Sequence, residues 1–591
     1  MNARLREPRA NASWLFAAVA ACLLLISCGG GGGGGGDTAS AAAAAPPAAS
    51  DNAASAAASN PVIVSIGANP TSLTVGQSAT LTWSSSNATA CQASGAWSGT
   101  VAPSGTQLIA PPAAGSYTYT LSCDGVAGNQ VIVATDAVTP MPTVSLSLAP
   151  ASVLEGQPAT LTWSTTNASA CAAAGAWAGS RGTSGSVRVT QDVAGTYTYS
   201  LTCAGAGGSA SGLVTLGATV RESNVALVFI DSGPAGANNI INVPFVSVTI
   251  CRPGTTTCQT IDHLLVDTGS YGLRIIAPGV LDPALALPAV TGPAGNPVGA
   301  CASFVSGYFW GSVHRADVKI AGETALSLPV QQVSDTNAAF ARIPAGCSNT
   351  GFNIGTVARM GANGILGIGL FNQDCGPSCA TQAVPGTYYE CSAAGCTGIA
   401  MPLADQVANP VAAFATNNNG VVLAMPAVPA GGATTLAGAL IFGIDTQANN
   451  GVGSATVYAT DRFGNFTTTY KGATLRSSFL DSGSNGLFFS DASIPRCSVF
   501  SGFSGFYCPA TTLSLSAVNT SANGASGTVD FSVENPQALD PAVRAASVGG
   551  SIGRSSRTVF DWGMPFFFGR TVFVAIDGAG TQHGTGPYWA Y

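Results

Sequence analysis

The sequence predicts a mainly β protein made of several domains, and three observations carry that prediction. Charged residues make up only 8% of the 591 and hydrophobic ones 46%, with 74 Gly and 34 Pro. That balance suits a chain of many short strands and tight turns and is the reverse of a disordered one. A stretch of alternating apolar and polar residues recurs 80 residues further on, with Trp83, Cys91, Trp97, Tyr117 and Cys123 returning as Trp163, Cys171, Trp177, Tyr197 and Cys203. An apolar run ending in Asp-(Thr/Ser)-Gly-Ser also occurs twice, around Asp267 and Asp481.

Charge and composition exclude several function classes. Lys and Arg number 20 against 27 Asp and Glu, a net charge of −7. Nucleic acid is therefore not an expected partner, because no basic surface exists to neutralise phosphates. Three His (His263, His314, His583) lie far apart in the sequence, which argues against a His-built zinc site or a Ser-His-Asp triad.

At the N-terminus, Arg4, Arg6 and Arg9 precede an apolar run from Trp14 to Ile26. The run is short for a membrane span and has the layout of a signal peptide. It ends Leu25-Ile26-Ser27-Cys28, which resembles the lipobox of bacterial lipoproteins. The resemblance implies a signal peptide over 1–27, lipidation of Cys28, and a protein held by lipid in the bacterial cell envelope, at the outer membrane because no acidic residue directly follows Cys28. An ordinary signal peptide or a single-span anchor is the alternative. Eight glycines and an Ala/Pro/Ser stretch follow, giving a flexible tether over 28–60.

The repeat spans 61–138 and 141–218. Within it, Ala79-Thr80-Leu81-Thr82-Trp83 and Tyr117-Thr118-Tyr119-Thr120-Leu121 alternate with the period of half-buried strands. The layout of strand-borne Trp, Cys pair and Tyr-rich late strand resembles bacterial immunoglobulin-like β-sandwich modules. Here the Trp precedes the first Cys, so the antibody order of Cys, Trp, Cys is not met. A spacer role is expected, since no polar cluster marks a binding site.

The chemistry is expected in the remaining 370 or so residues. Leu264-Leu265-Val266-Asp267-Thr268-Gly269-Ser270 and Ser478-Phe479-Leu480-Asp481-Ser482-Gly483-Ser484 each deliver a carboxylate at the end of an apolar strand. One Asp-Thr-Gly is weak evidence, because Asx-turns use these residues constantly. Two copies with the same lead-in and the same following Ser are far stronger. The Gly lets the backbone turn back towards the carboxylate, and the hydroxyls can fix its orientation. Two such loops related by a pseudo-twofold axis would bring the carboxyls to about 3 Å, where they share one proton.

The region resembles the pepsin-like aspartic peptidases over most of 240–591, in the family's order. Asn363-Gly364-Ile365-Leu366-Gly367-Ile368-Gly369 looks like the ψ-loop strand beneath the first aspartate, with Asn363 where the family carries Asp. Gly438–Asp445 looks like the strand that opens the second lobe, and Phe560–Phe568 like that lobe's closing element, followed by a strand over 572–577. The resemblance implies a bilobal pepsin-like double barrel with lobes at 221–412 and 413–591, and an aspartic endopeptidase that acts on extended polypeptide. Asp267 and Asp481 would be the catalytic pair. Ser270 and Ser484 would hold the outer carboxylate oxygens, Thr268 and Ser482 would lock the loops together, and Gly269 and Gly483 would complete the turns. No cofactor or metal is implied. Tyr308 or Trp310, on an expected hairpin over 304–313, would serve as the flap aromatic. A bacterial lipoprotein family of unassigned function shares this pattern, and a catalytically inert binding or adhesion module in the same fold is the alternative function.

Sixteen cysteines in an exported chain point to disulfides. Spacing suggests Cys91–Cys123, Cys171–Cys203, Cys251–Cys258, Cys301–Cys347 and Cys497–Cys508. Connectivity among Cys375, Cys379, Cys391 and Cys396 is left open, and a metal knot there is disfavoured by the scarcity of His.

Overall fold

The computed structural model describes residues 60–237, 240–553 and 558–591. The signal segment, Cys28 and the tether lie outside the described residues. What is described is mainly β, in two small sandwiches followed by one large bilobal, barrel-like region.

In the first sandwich a three-stranded sheet (63–69, 79–86, 104–109) faces a second sheet built around 91–95, 115–123 and 131–136. Strict alternation puts Leu81, Trp83, Tyr119, Leu121 and Val133 between the sheets. Trp83 meets Trp97 edge-on at 5.0 Å. Both indoles are satisfied: Trp83 Nε1–H donates to the Ala102 carbonyl at 2.9 Å and Trp97 Nε1–H to that of Thr120 at 3.0 Å. The second sandwich repeats this, with Trp163 and Trp177 at 5.3 Å and indole bonds to Gly182 and Ser200. The disulfides Cys91–Cys123 and Cys171–Cys203 join directly opposed residues of neighbouring strands in one sheet. They do not bridge the two sheets, as the antibody disulfide does.

The C-terminal region opens with β1 (Val225–Ile230), β2 (Phe245–Cys251) and β3 (Cys258–Asp267). It continues with β4 (Tyr271–Ile276), β5 (Val298–Phe304), β6 (Gly307–Ile320), β7 (Glu323–Val333) and β8 (Gly364–Ile368). The second half adds β9 (Leu436–Phe442), β10 (Ala473–Asp481), β11 (Leu487–Phe488), β12 (Gly549–Gly550) and β13 (Asp561–Gly563). β1 pairs antiparallel with β9, so one sheet continues from the first lobe into the second.

The duplication seen in the sequence is also a duplication of strand topology. In the first lobe β8 lies parallel to β3 and antiparallel to β4, and β4 lies parallel to β7. In the second lobe β13 lies parallel to β10 and antiparallel to β11, and β11 lies parallel to β12. The registers agree: Asp267 stands opposite Gly367, and Asp481 opposite Gly563. Strands buried on both faces explain why 264–266 and 364–368 read as unbroken apolar runs. One core cluster spans both lobes, joining Val248, Leu264 and Leu366 to Leu440, Leu480 and Trp562. Its second-lobe part is aromatic, with Phe560 stacked between Phe489 (4.8 Å) and Trp562 (3.9 Å).

Candidate active site

β3 and β10 end on their aspartates, and the next residues turn each chain back. In the first loop the Gly269 N–H donates to Asp267 Oδ1 at 2.8 Å and the Ser270 hydroxyl to Oδ2 at 2.5 Å. In the second the Gly483 N–H donates to Asp481 Oδ1 at 2.8 Å, and Ser484 Oγ lies 3.1 Å from Oδ2. The two loops hold each other. Thr268 N–H donates to Ser482 Oγ and Ser482 N–H to Thr268 Oγ1, at 3.1 and 2.9 Å. The two hydroxyls then donate to the opposite chains, Ser482 to the Val266 carbonyl and Thr268 to that of Leu480. Every polar atom of this grip is buried and paired, which is the condition for a buried polar network to be stable.

The grip sets the two carboxyls face to face, within hydrogen-bonding reach of one another. The approach is tight: a Cβ on Gly269 would lie 2.4 Å from Asp481 Cγ, and one on Gly483 would lie 2.6 Å from Asp267 Oδ1. Gly is required at both positions for this close contact. Asp267 is only 5% exposed, while Asp481, Ser270 and Ser484 are half-buried, so one side of the pair faces solvent. Burial, and then the negative charge of Asp481, push Asp267 up to about 8. Two carboxylates this close cannot both ionise cheaply, so the pair holds one proton near neutral pH.

The structure does not bring Tyr308 or Trp310 to this pair. A β5–β6 hairpin exists, with its turn at Val305-Ser306, but residues 308 and 310 share one strand face. That face packs on Phe340, Tyr389 and the Cys301–Cys347 disulfide. Trp310 Nε1–H donates to the Phe340 carbonyl at 2.9 Å. Backbone bonds further tie Tyr308 to Phe352 and Ile354. The two flap candidates are core residues of the first lobe, and the hairpin tip, Val305, is 95% exposed.

Cys251–Cys258 and Cys497–Cys508 are bonded, and the four cysteines left open pair with their near neighbours, Cys375–Cys379 and Cys391–Cys396. Among the described residues no group of three or more His, Cys, Asp or Glu could hold a metal ion.

Two features escaped the sequence reading. Asp561 Oδ2 accepts from the Ser484 hydroxyl at 2.7 Å, which places a third carboxyl behind Asp481. Its signal was an acid inside an apolar strand, where Phe560-Asp561-Trp562-Gly563 carries Asp at the position of Ile365. The second is buried Arg274 on β4, which donates to Asp374 Oδ2 at 2.7 Å and to Gln331. Gln331 in turn donates to the Ala300 carbonyl, and Tyr388 donates to Asp374 Oδ1. This network joins the strand that follows Asp267 to β5 and β7.

No curated protein matches the sequence. Among solved structures, the crystal structure of aspartic proteinase from Irpex lacteus aligns with 62% of this chain and 96% of that one, at 19% identity and a TM-score of 0.36. Residues 220–591 match the family described as "Protein of unknown function (DUF3443)", and the chain belongs to that family.

Proposed function

We propose that this protein is an aspartic endopeptidase that hydrolyses peptide bonds in extended polypeptide. One observation carries the reading: two opposed carboxyls, each oriented by a Gly N–H and a Ser hydroxyl, held together by a reciprocal buried grip and sharing one proton. A water seated between Asp267 and Asp481 would lose a proton to the ionised member as its oxygen attacks the scissile carbonyl carbon. The protonated member would give its proton to the carbonyl oxygen, leaving a neutral gem-diol. Proton transfer to the amide nitrogen then breaks the C–N bond and yields the acid and the amine. No metal, cofactor or covalent intermediate takes part.

The two sandwiches, read as immunoglobulin-like modules, would act as spacers. Lipidation of Cys28 would hold the protein to the cell envelope at the outer membrane, within reach of unfolded or extended chains. A second reading, a cleft that binds polypeptide without cleaving it, draws on the tethering of the β5–β6 hairpin.

The test is incubation of the purified protein with an unstructured polypeptide across pH 3–8. Cleavage that disappears in both Asp267→Asn and Asp481→Asn supports the peptidase. Binding without cleavage supports the second reading, and cleavage that survives both substitutions overturns the assigned pair.

A further inference from the structure

The strand topology repeats between the lobes beyond the aspartate loops, and the repeat gives the β5–β6 hairpin a counterpart. In the first lobe that hairpin lies antiparallel to β7, and its second strand runs on beside β2. In the second lobe residues 496–507 form a hairpin through an Arg496–Tyr507 bridge, and Phe506 pairs antiparallel with Gly550 of β12. The chain then runs on through Leu513–Thr520, which pairs with Phe466–Tyr470, and returns through Ser526–Val533 towards β12. β12 stands to β11 as β7 stands to β4. Phe466–Tyr470 stands to β10 as β2 stands to β3. The 496–507 hairpin is therefore related to β5–β6 by the same pseudo-twofold that sets Asp267 against Asp481.

Each hairpin is anchored by a disulfide, Cys301–Cys347 in the first lobe and Cys497–Cys508 in the second, and each ends in exposed apolar residues. Val305 is 95% exposed, Val499 73% and Phe500 96%. Single exposed apolar side chains are ordinary. Val499 and Phe500 instead cap a loop whose other aromatics, Phe503 and Phe506, are half-buried and lead to Phe488 through edge-on contacts at 6.1 and 5.6 Å. A Cβ on Gly486, in the segment that leaves the Asp481 loop, would lie 3.1 Å from the Phe506 ring. The root of the hairpin thus rests on that segment.

We propose that the tip of the 496–507 hairpin, Val499 and Phe500, is a specificity-determining contact that takes a large apolar side chain of the polypeptide bound on the Asp481 side of the cleft. The inference deepens the peptidase reading and rests on its polypeptide substrate. Three observations favour that occupant. The hairpin is rooted on the segment leaving the Asp481 loop. Arg496 is the only charged residue between 496 and 508, so the tip offers an acidic or basic side chain no counter-charge. The Cys497–Cys508 clip shortens the loop, so less conformational freedom is lost on binding. An extended peptide's backbone is common to every substrate, and discrimination has to come from side-chain contacts of this kind.

The experiment uses the full-length protein and fluorescein-labelled peptides of Gly, Ser and Thr, with a single Phe moved along successive positions and an all-polar peptide as reference. Anisotropy with the Asp267→Asn protein reads binding without turnover, and the parent reads kcat and KM. At one position Phe is expected to tighten binding about tenfold, the size of one large apolar side chain covered on one face. Phe500→Ser should abolish that preference while the all-polar peptide binds within about twofold of before. For the Phe peptide it should raise KM about tenfold with kcat held within about twofold. Phe500→Leu should keep most of the preference. A preference that Phe500→Ser leaves intact, or an equal loss for polar and apolar peptides, overturns the proposal. So does Phe500-dependent binding to phosphatidylethanolamine–phosphatidylglycerol vesicles, or Phe500-dependent self-association in sedimentation, with the peptide preference unmoved. Phe500 is almost wholly exposed, so its replacement should not disturb folding. A Phe500-dependent preference without cleavage removes the peptidase reading and leaves the tip's role standing. Cleavage without that preference does the reverse, and peptides that neither bind nor are cleaved overturn both.

Discussion

Thr268 and Ser482 exchange hydrogen bonds across the two lobes, each side-chain oxygen accepting the other's backbone N–H at 3.1 and 2.9 Å. Both residues are buried, Thr268 at 2% and Ser482 at 0% exposure. Ser482→Ala strands the Thr268 N–H and removes the donor to the Val266 carbonyl. Each buried group left unpaired costs about 1–3 kcal/mol. Urea unfolding should show a loss in that range, with turnover falling as the loops separate. Ser482→Thr keeps the hydroxyl and should retain most of both. A Ser482→Ala variant as stable as the parent would show that the grip contributes nothing.

Gly269 and Gly483 should tolerate no side chain. A methyl on Gly269 would land 2.4 Å from Asp481 Cγ, and on Gly483 2.6 Å from Asp267 Oδ1. The clash is with the opposite carboxyl, not with the core. Gly269→Ala should therefore leave the circular dichroism spectrum unchanged while peptide turnover drops about 100-fold, the cost of displacing a reacting group by about 1 Å. Turnover near the parental rate would mean that the carboxyls do not meet in solution.

The raised proton affinity of Asp267 has a defined sign in stability. Its folded value of about 8 lies above the ordinary carboxylate range, so the folded state keeps a proton that the unfolded state releases. The resulting stabilisation is complete below about pH 4 and is lost as pH rises towards 8. Tm should fall over that interval, and Asp267→Asn should flatten the slope. Turnover should also decline as pH passes through 8 and the pair loses its proton. A pH–Tm profile that Asp267→Asn leaves unchanged would sink this assignment.

The Asp267 and Asp481 loops, the strand over 364–368 and the paired tryptophans were legible because each leaves a local mark: an apolar lead-in, a turn residue at a fixed offset, or an 80-residue repeat. What was not legible depends on contacts distant in sequence. Alternation says that Tyr308 and Trp310 share a face, but not that Phe340 and Tyr389 cover it. Ser484, one partner of Asp561, lies 77 residues away, and sequence alone records an acid in an apolar strand without saying what it touches. Arg274 finds Asp374 across 100 residues in the same way. The four cysteines from 375 to 396 allowed three pairings, and the folded hairpin at 388–398 selects one by setting Cys391 opposite Cys396.

The packing of the β5–β6 hairpin separates a structural role from a catalytic one. If Tyr308 served as a flap tyrosine, its hydroxyl would act at the reacting centre and Tyr308→Phe would lower kcat. Its backbone bonds to Phe352 and Ile354, and its place beside the Cys301–Cys347 disulfide, predict instead that Tyr308→Phe leaves kcat within about twofold. Trp310→Phe should destabilise the protein by about 1–2 kcal/mol through loss of the indole bond to Phe340, again with kcat held. Replacing both Cys301 and Cys347 by Ala opens a loop with a sequence separation of 46 residues, and chain entropy then predicts a loss of about 4 kcal/mol. Cleavage near Val305 by an added protease should quicken in that variant, because the exposed tip loses its anchor. A drop in kcat in Tyr308→Phe, with unfolding unchanged, would return that residue to the active site.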